Sequence, residues 1–437
     1  MKKILLILIC FAALRVNAQE LFTADAFIQQ VKLYHPVAKQ SNIMVERAAN
    51  ALLSSRGDFD PALTLDASRK TFDGKNYYFY TNPELKIPTW IGLNVKAGLE
   101  NNGGNYLNPE VTKGQSSYLG VEMPLAKGLV MDKRRAALQQ AKIMINQSEQ
   151  DRLNAMNDLL FEAYAAYWQW AGTYSLYSLY TKYLQASAER YRLVKIAYEN
   201  GDRAAMDTLE ALTQVQSFMM LQSDAKMKLN DAAIDLSNYL WQDNDSAYDL
   251  PSTFVPDTLQ FAMEQQAPQL DQLIRTASDQ NPALKSYSYK LDALAVERKL
   301  KFQSLLPVVN AKANLLNKGY NVFKGVDGAF LENNYKWGID VKVPLFLREG
   351  RGDYKQAKLK IEETNYALSA KRWEVENKIR SYYNQFIQMQ AQLKIMLSMF
   401  ANYTSLLRQE DFKFQNGESS LFLVNSRENK LIEAAQK

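Results

Sequence analysis

From residue 91 to 100 the chain alternates: Ile91, Leu93, Val95, Ala97 and Leu99 are apolar, and Gly92, Asn94, Lys96, Gly98 and Glu100 are not. The same two-residue period returns at 307–315 (Val309, Ala311, Ala313, Leu315) and at 337–343 (Trp337, Ile339, Val341, Val343). Successive side chains on a strand point to opposite faces, so each stretch predicts a strand with one apolar and one polar face. A half-buried soluble sheet and the wall of a membrane barrel both meet that description. Aromatic residues favour the wall. Tyr77, Tyr78, Phe79, Tyr80 and Trp90 in one region, and Tyr320, Phe323, Phe330, Tyr335 and Trp337 in the other, are placed to form interfacial girdles. The polar run Glu100-Asn101-Asn102-Gly103-Gly104 then suits an outer loop.

Elsewhere the pattern is helical. All twelve prolines lie outside 125–250 and 345–437, and Gly172 is the one glycine within 134–199. Proline inside a helix costs about 3 kcal/mol, so its absence predicts long uninterrupted helices. At 1.5 Å per residue the first would be roughly 100 Å long. Such a helix needs a packing seam, and Tyr180, Leu184, Ser187, Tyr191, Val194 and Tyr198 follow alternating steps of four and three. Tyr164, Tyr167, Ala171 and Tyr174 continue it upstream. This stripe reads as helix packing rather than a ligand box.

The chain is also a tandem duplication. His35-Pro36 matches Asn281-Pro282, Asp60-Pro61 matches Leu306-Pro307, and Met123-Pro124 matches Val343-Pro344. Arg135 matches Arg351, Ala141 matches Ala357, and Asn200-Gly201 matches Asn416-Gly417. The predicted organisation is a signal peptide at 1–18 and a first repeat at 19–241, with strands in 61–124, a long helix at 129–200 and a helix at 202–241. A linker at 242–280 follows, with a short helix near 269–279. The second repeat at 281–437 has strands in 307–346, a long helix at 351–416 and a partial helix at 418–437. The first strand region is 26 residues longer than the second, room for a further hairpin near 77–87.

Composition narrows the setting. Lys2 and Lys3, the apolar run Ile4–Leu14 and small-residue cleavage geometry at Val16-Asn17-Ala18 read as a secretory leader. The only cysteine, Cys10, lies inside that run, so the mature chain has no disulfide to rely on. Removing residues 1–18 takes away Lys2, Lys3 and Arg15 and no acid, which lowers the net charge from +5 to +2. That balance gives no reason to expect nucleic acid as a partner. No later segment is apolar for the eighteen residues of a spanning helix, so entry into a membrane would fall to strands. No nucleophile elbow, phosphate loop or metal cluster is present, so no enzymatic activity and no cofactor are expected.

The duplicated order of helix, strands and long helix, the Pro-Leu strand exits leading to Arg135 and Arg351, and the Asn-Gly tips together resemble the TolC-type outer-membrane efflux protein family (outer membrane factors). The resemblance covers essentially the whole chain after the leader. It implies a mainly α fold with β: a trimeric, tandem-repeat coiled-coil α-barrel of long helices continuous with a transmembrane β-barrel. Four strands per chain would give twelve, and open edges in lipid independently require strands pooled between chains. The resemblance further implies a homotrimer in the outer membrane of a Gram-negative bacterium, in contact with its lipid and reaching into the periplasm. Its partners would be a periplasmic membrane-fusion adaptor and an inner-membrane pump of RND or ABC type, in a tripartite efflux pump or type I secretion system. The rival class is a periplasmic coiled-coil adaptor without a pore.

Candidate sites follow from the same positions. Members of that family close the periplasmic end with acids after the tip turns; by offset these are Asp207 and Glu210 in the first copy. In the second the same offsets fall on Leu423 and Ser426, so the acidic ring there is absent or moved to Glu418 or Glu428. Acids at a helix start also simply suit the helix dipole. Asn200, Gly201, Asn416 and Gly417 would reverse the chain and, by resemblance, meet the adaptor. Pro124, Arg135, Pro344 and Arg351 mark the strand-to-helix junctions. Lys133-Arg134-Arg135 reads as a solvated charge run, with membrane phosphates or nearby carboxylates as the other reading. His35, the single histidine, aligns with Asn281, and a capping or turn role before Pro explains both without metal or catalysis.

Overall fold

Helices begin and end where capping and turn residues allow. In this computed structural model, which describes residues 20–258, 266–320 and 333–437, a short strand β1 (Glu20–Phe22) leads into α1 (Ala24–Tyr34) and α2 (Pro36–Gly57). Thr23 caps α1 by accepting the Ala26 amide at 3.2 Å. Four strands follow: β2 (Ala62–Phe72), β3 (Lys75–Pro88), β4 (Asn94–Gly103) and β5 (Gly114–Pro124). The 67-residue α3 (Lys133–Glu199) and α4 (Ala205–Ser237) complete the first copy. After β6 (Phe254–Pro256) and α5 (Leu270–Gln280), the second copy supplies α6 (Pro282–Phe302), β7 (Val308–Lys318), β8 (Tyr335–Lys342), the 68-residue α7 (Arg348–Gln415) and α8 (Leu421–Gln436). The leader, Phe323 and Phe330 lie outside the described residues.

The chain divides into two compact units. One comprises the described parts of Met1–Ser41, Leu153–Ala277 and Val375–Lys437. Its largest apolar cluster joins Phe27, Ile28 and Val31 of α1 to Tyr167, Trp170 and Ala171 of α3 and to Leu236 of α4. β1 pairs parallel with β6 there, and the Tyr167 hydroxyl donates to the Phe22 carbonyl at 2.7 Å. Farther along α3 the seam is a strict heptad of buried residues, Thr173, Tyr180, Ser187 and Val194. Tyr180 meets Phe218 and Ile432, and Val194 meets Ala211 and Leu421, so α4 and α8 both pack on α3. Tyr198, expected in the seam, is 45% exposed.

The other unit comprises Asn42–Arg152 and Ser278–Glu374 and contains one antiparallel sheet, ordered β2-β3-β4-β5-β7-β8. The sheet has six strands, not the four expected per chain. No hairpin turns near 77–87: residues 75–88 form a single strand, joined to β2 at Asp73-Gly74, both at positive φ as a two-residue hairpin turn requires. The run 100–104, expected as a loop, is strand up to Gly103, paired with β3 and β5; Gly103 lies under the Phe79 ring, where a Cβ would come within 2.5 Å.

Register makes the sheet two-faced. Rows such as Leu85–Ala97–Leu119–Leu315 and Ile87–Val95–Val121–Ala313–Trp337 are apolar across the strands. Neighbouring rows carry Lys86, Lys96, Asn314 and Lys336, or Asn94, Glu122 and Lys312. On the apolar face Leu63, Val121, Trp337, Ile339 and Val341 are all exposed. Of the expected girdle aromatics, alternation puts Phe79 on that face and stacks Tyr78 and Tyr80 on the polar one, with ring centroids 4.9 Å apart.

Candidate functional site

Two strand-to-helix junctions lead out of the sheet, and they are built differently. After Pro124 the chain turns at Gly128, and Asp132 accepts the Arg135 amide at 2.8 Å, starting α3. The Arg135 guanidinium folds back onto the carbonyls of Leu129, at 2.9 Å, and Gly128. Arg134 reaches Asn94 on β4 and lies over the Phe59 ring. Only Lys133 of that basic run is exposed, so the solvated reading fails for its two arginines: turn carbonyls, an amide and Asp132 take up their charge. In the second copy Pro344 and Arg351 are both exposed, and Leu347, at φ +48, makes the turn.

The helical tips are near copies of one another. Asp202 N–H bonds Ala197 C=O, and Gly201 N–H bonds Tyr198 C=O; Glu418 to Lys413 and Gly417 to Phe414 repeat the pattern. These are paired six-to-one and five-to-two closures, with glycine at φ +83 and +80 where a side chain would be strained. Past the turns the copies diverge. Ser420 caps α8 by accepting the Leu423 amide, whereas Ala204 leaves α4 without a side-chain cap.

Behind the tips lies a polar cluster. Glu428 on α8 is 1% exposed and takes both prongs of the Arg190 guanidinium, at 2.9 and 3.0 Å. Asn425, one turn earlier, approaches Arg190 at 3.4 Å and donates to Glu210 on α4 at 3.4 Å. Burial pushes the Asp411 carboxyl above its ordinary range against the pull of Arg190, and Glu428 and Glu410 add to the rise. Glu410 is held low by the Ser419 hydroxyl that donates to it and by Arg427. Arg203 lies over the Phe414 ring at 4.4 Å. Of the four acids singled out from the sequence, Glu210 and Glu428 are thus brought together through Asn425. Asp207 is half-buried in the first turn of α4, and Glu418 is exposed at its turn. Arg190 and Asp411 escaped the sequence reading, since neither sits at a repeat-marked position.

His35 sits in a capping position before α2. Its Nδ1 accepts the Val37 amide at 3.2 Å, and its ring stacks on Tyr239. Asn281 accepts the amides of Ala283 and Leu284 at the corresponding place. Among the described residues no group of three or more His, Cys, Asp and Glu side chains could hold a metal, and no helix is long and apolar enough to cross a membrane.

Residues 91–240 match the family model described as outer membrane efflux protein. The fold is similar to that of the Campylobacter jejuni CmeC outer membrane channel, at 14% identity and TM-score 0.65, over 94% of this chain and 81% of that one. It is similar too to the open state of the Neisseria gonorrhoeae MtrE outer membrane channel (13%, TM-score 0.67, 94% and 84%). A third likeness is to the outer membrane protein VceC of Vibrio cholerae (14%, TM-score 0.62, 94% and 90%). No curated protein matches the sequence. The family match spans much of the first copy and the structural likeness runs through both. The resemblance to the TolC-type outer-membrane efflux protein family therefore holds, and the fold is that of outer-membrane channels.

Proposed function

We propose that the chain is one subunit of a trimeric export channel of the outer membrane, a conduit from periplasm to exterior. The observation that carries this reading is the sheet, with an exposed apolar face, a polar reverse and two junctions into helices of 67 and 68 residues. An apolar face of that extent suits lipid, and free strand edges in lipid must be closed by other copies. The channel works with a periplasmic membrane-fusion adaptor, met at Asn200-Gly201 and Asn416-Gly417, and with an inner-membrane pump of RND or ABC type. A tripartite efflux pump and a type I secretion system share this conduit, and the cargo of either is a drug, a toxic small molecule or a protein. At the periplasmic end Asp207, Glu210 and Glu418 supply the accessible carboxylates of a cation-favouring gate, while Glu428 braces it from behind through Arg190.

The test is reconstitution into a planar bilayer, comparing wild type with Asp207→Ala/Glu210→Ala. Discrete channels, with larger current or weaker cation preference in the double variant, support the channel and the gate. A protein that needs no detergent and never conducts sinks this reading in favour of a pore-free coiled-coil adaptor.

A further inference from the structure

Resting on the channel reading, we propose that all six strands of each copy are barrel strands, so that three copies close a barrel of eighteen, β8 of each copy pairing with β2 of the next. Matching the duplicated positions equates β2 with β7 and β5 with β8, which leaves β3 and β4 as the insertion. An insertion of this kind could hang outside the wall as an ornament, but four observations place it within the wall.

The inserted strands lie between β2 and β5 in the hydrogen-bonded order, not at an edge. Their alternation is in phase with the duplicated strands: Leu85 and Ile87 continue, through Ala97 and Val95, the apolar rows of Leu119 and Val121. On the reverse face the insertion is stitched to β5. The Tyr118 hydroxyl reaches across β4 to Glu84 on β3 at 2.5 Å, over Gly98, where a Cβ would stand 2.5 Å from the Tyr118 ring. Lys96 pairs with Glu122 at 2.8 Å, and Lys86 lies 3.8 Å from the same carboxylate. Finally, Pro83, which lacks an amide and would weaken a central ladder, leaves the register intact: Thr81–Asn101 and Glu84–Gly98 pair with the same offset on either side of it.

The occupant of the free edges is a second copy of this chain. β2 is exposed throughout and β8 nearly so, and among the described residues they are the edges of the sheet, whose open backbone groups cannot face lipid. The six strands alternate in direction, so β2 and β8 run opposite ways and pair antiparallel head to tail, closing the ring without a mismatch. Barrel diameter grows roughly in proportion to strand number. Eighteen strands make a wall about half as wide again as twelve, in the range that leaves an aqueous channel. The exit in the membrane then passes bulky solutes or polypeptide, and selection falls to the helical end.

The experiment uses the full chain reconstituted into lipid, in a Cys10→Ala background. Cysteine pairs join Leu65 or Ala67 of β2 to Trp337 or Ile339 of β8; a second set joins Val95 or Ala97 of β4 to the same β8 positions. Separately, bimane on single cysteines at Leu85, Val95, Val121 and Ile339 is quenched with brominated lipid. The expected result is oxidative linkage into dimers and trimers through β2–β8 alone, with lipid quenching at Leu85 and Val95 equal to that at Val121 and Ile339. Linkage through β4–β8, or quenching at Val121 and Ile339 but not at Leu85 and Val95, overturns the eighteen-stranded wall and leaves the channel standing. Absence of quenching at all four sites overturns both.

Discussion

The two long helices have nearly the same length and the same place in their repeats, yet they are covered very differently. α3 buries Leu159, Ala163, Tyr167, Trp170, Tyr180 and Val194 against its own chain. α7 buries only Gly350, Ala357 and Thr364, and leaves Tyr366, Trp373, Met389, Ile395 and Leu397 more than half exposed. Duplication supplied two helices of nearly equal length, and within one chain only the first finds its packing. The bare apolar positions of α7 are what a helix shows when its neighbours come from other copies, in keeping with the trimer proposed above.

The largest effect should come from treating the two helices alike. Tyr167→Ala empties a fully buried site stacked on Phe27 and should destabilise the subunit by about 3–5 kcal/mol in denaturant unfolding. Trp373→Ala should leave the isolated subunit within about 0.5 kcal/mol of wild type while lowering the trimer fraction by light scattering. Equal losses of subunit stability would abolish the contrast.

Next comes the tie between the copies at the tip. Arg190→Ala strands a buried carboxylate and should cost about 3 kcal/mol, whereas Arg190→Met with Glu428→Leu should come close to wild type. A double variant as unstable as the single one would mean that packing, not charge, decides this site. Smaller effects belong to the tip glycines: Gly201→Ala and Gly417→Ala force a side chain into the left-handed region and should each cost about 1 kcal/mol, equally if the turns are true copies.

The smallest effect separates His35 from Asn281. Burial lowers the His35 pKa, although the hydrogen bond to the Asn238 backbone works against it. The unfolded chain therefore takes up the proton first. Stability is intact above the ordinary histidine value of about 6.5 and is lost as pH falls from there to the depressed folded value. Thermal melts at pH 7.5 and 5.5 should show a drop that His35→Asn, which copies the second repeat, removes.

Much of this was legible in order along the chain. Val95, Ala97, Val309 and Ala311 announce their strands because strand geometry has a period of two, and the proline-free stretches announce α3 and α7. The Asn-Gly tips are legible because only a few residues tolerate positive φ. β3 was not legible, because Tyr77-Tyr78-Phe79-Tyr80 is apolar on both faces and hides its period. The nearby carboxylate of Arg134 and Arg135, Asp132, was within reach of the sequence, but their other partners, turn carbonyls and a β4 asparagine, were not, since no spacing rule points to them.

The boundary between the two kinds of knowledge follows sequence separation. Elements set by neighbours three, four or two residues away could be read directly, since backbone hydrogen bonding and side-chain periodicity act at that range. Pairing across 238 residues, as between Arg190 and Glu428, or across the insertion, as between Tyr118 and Glu84, depends on which surfaces meet once the chain has folded. The number of strands in the sheet belongs to the same kind. A strand's pattern says which way its side chains face, but only its hydrogen-bonded neighbours say where in the sheet it lies.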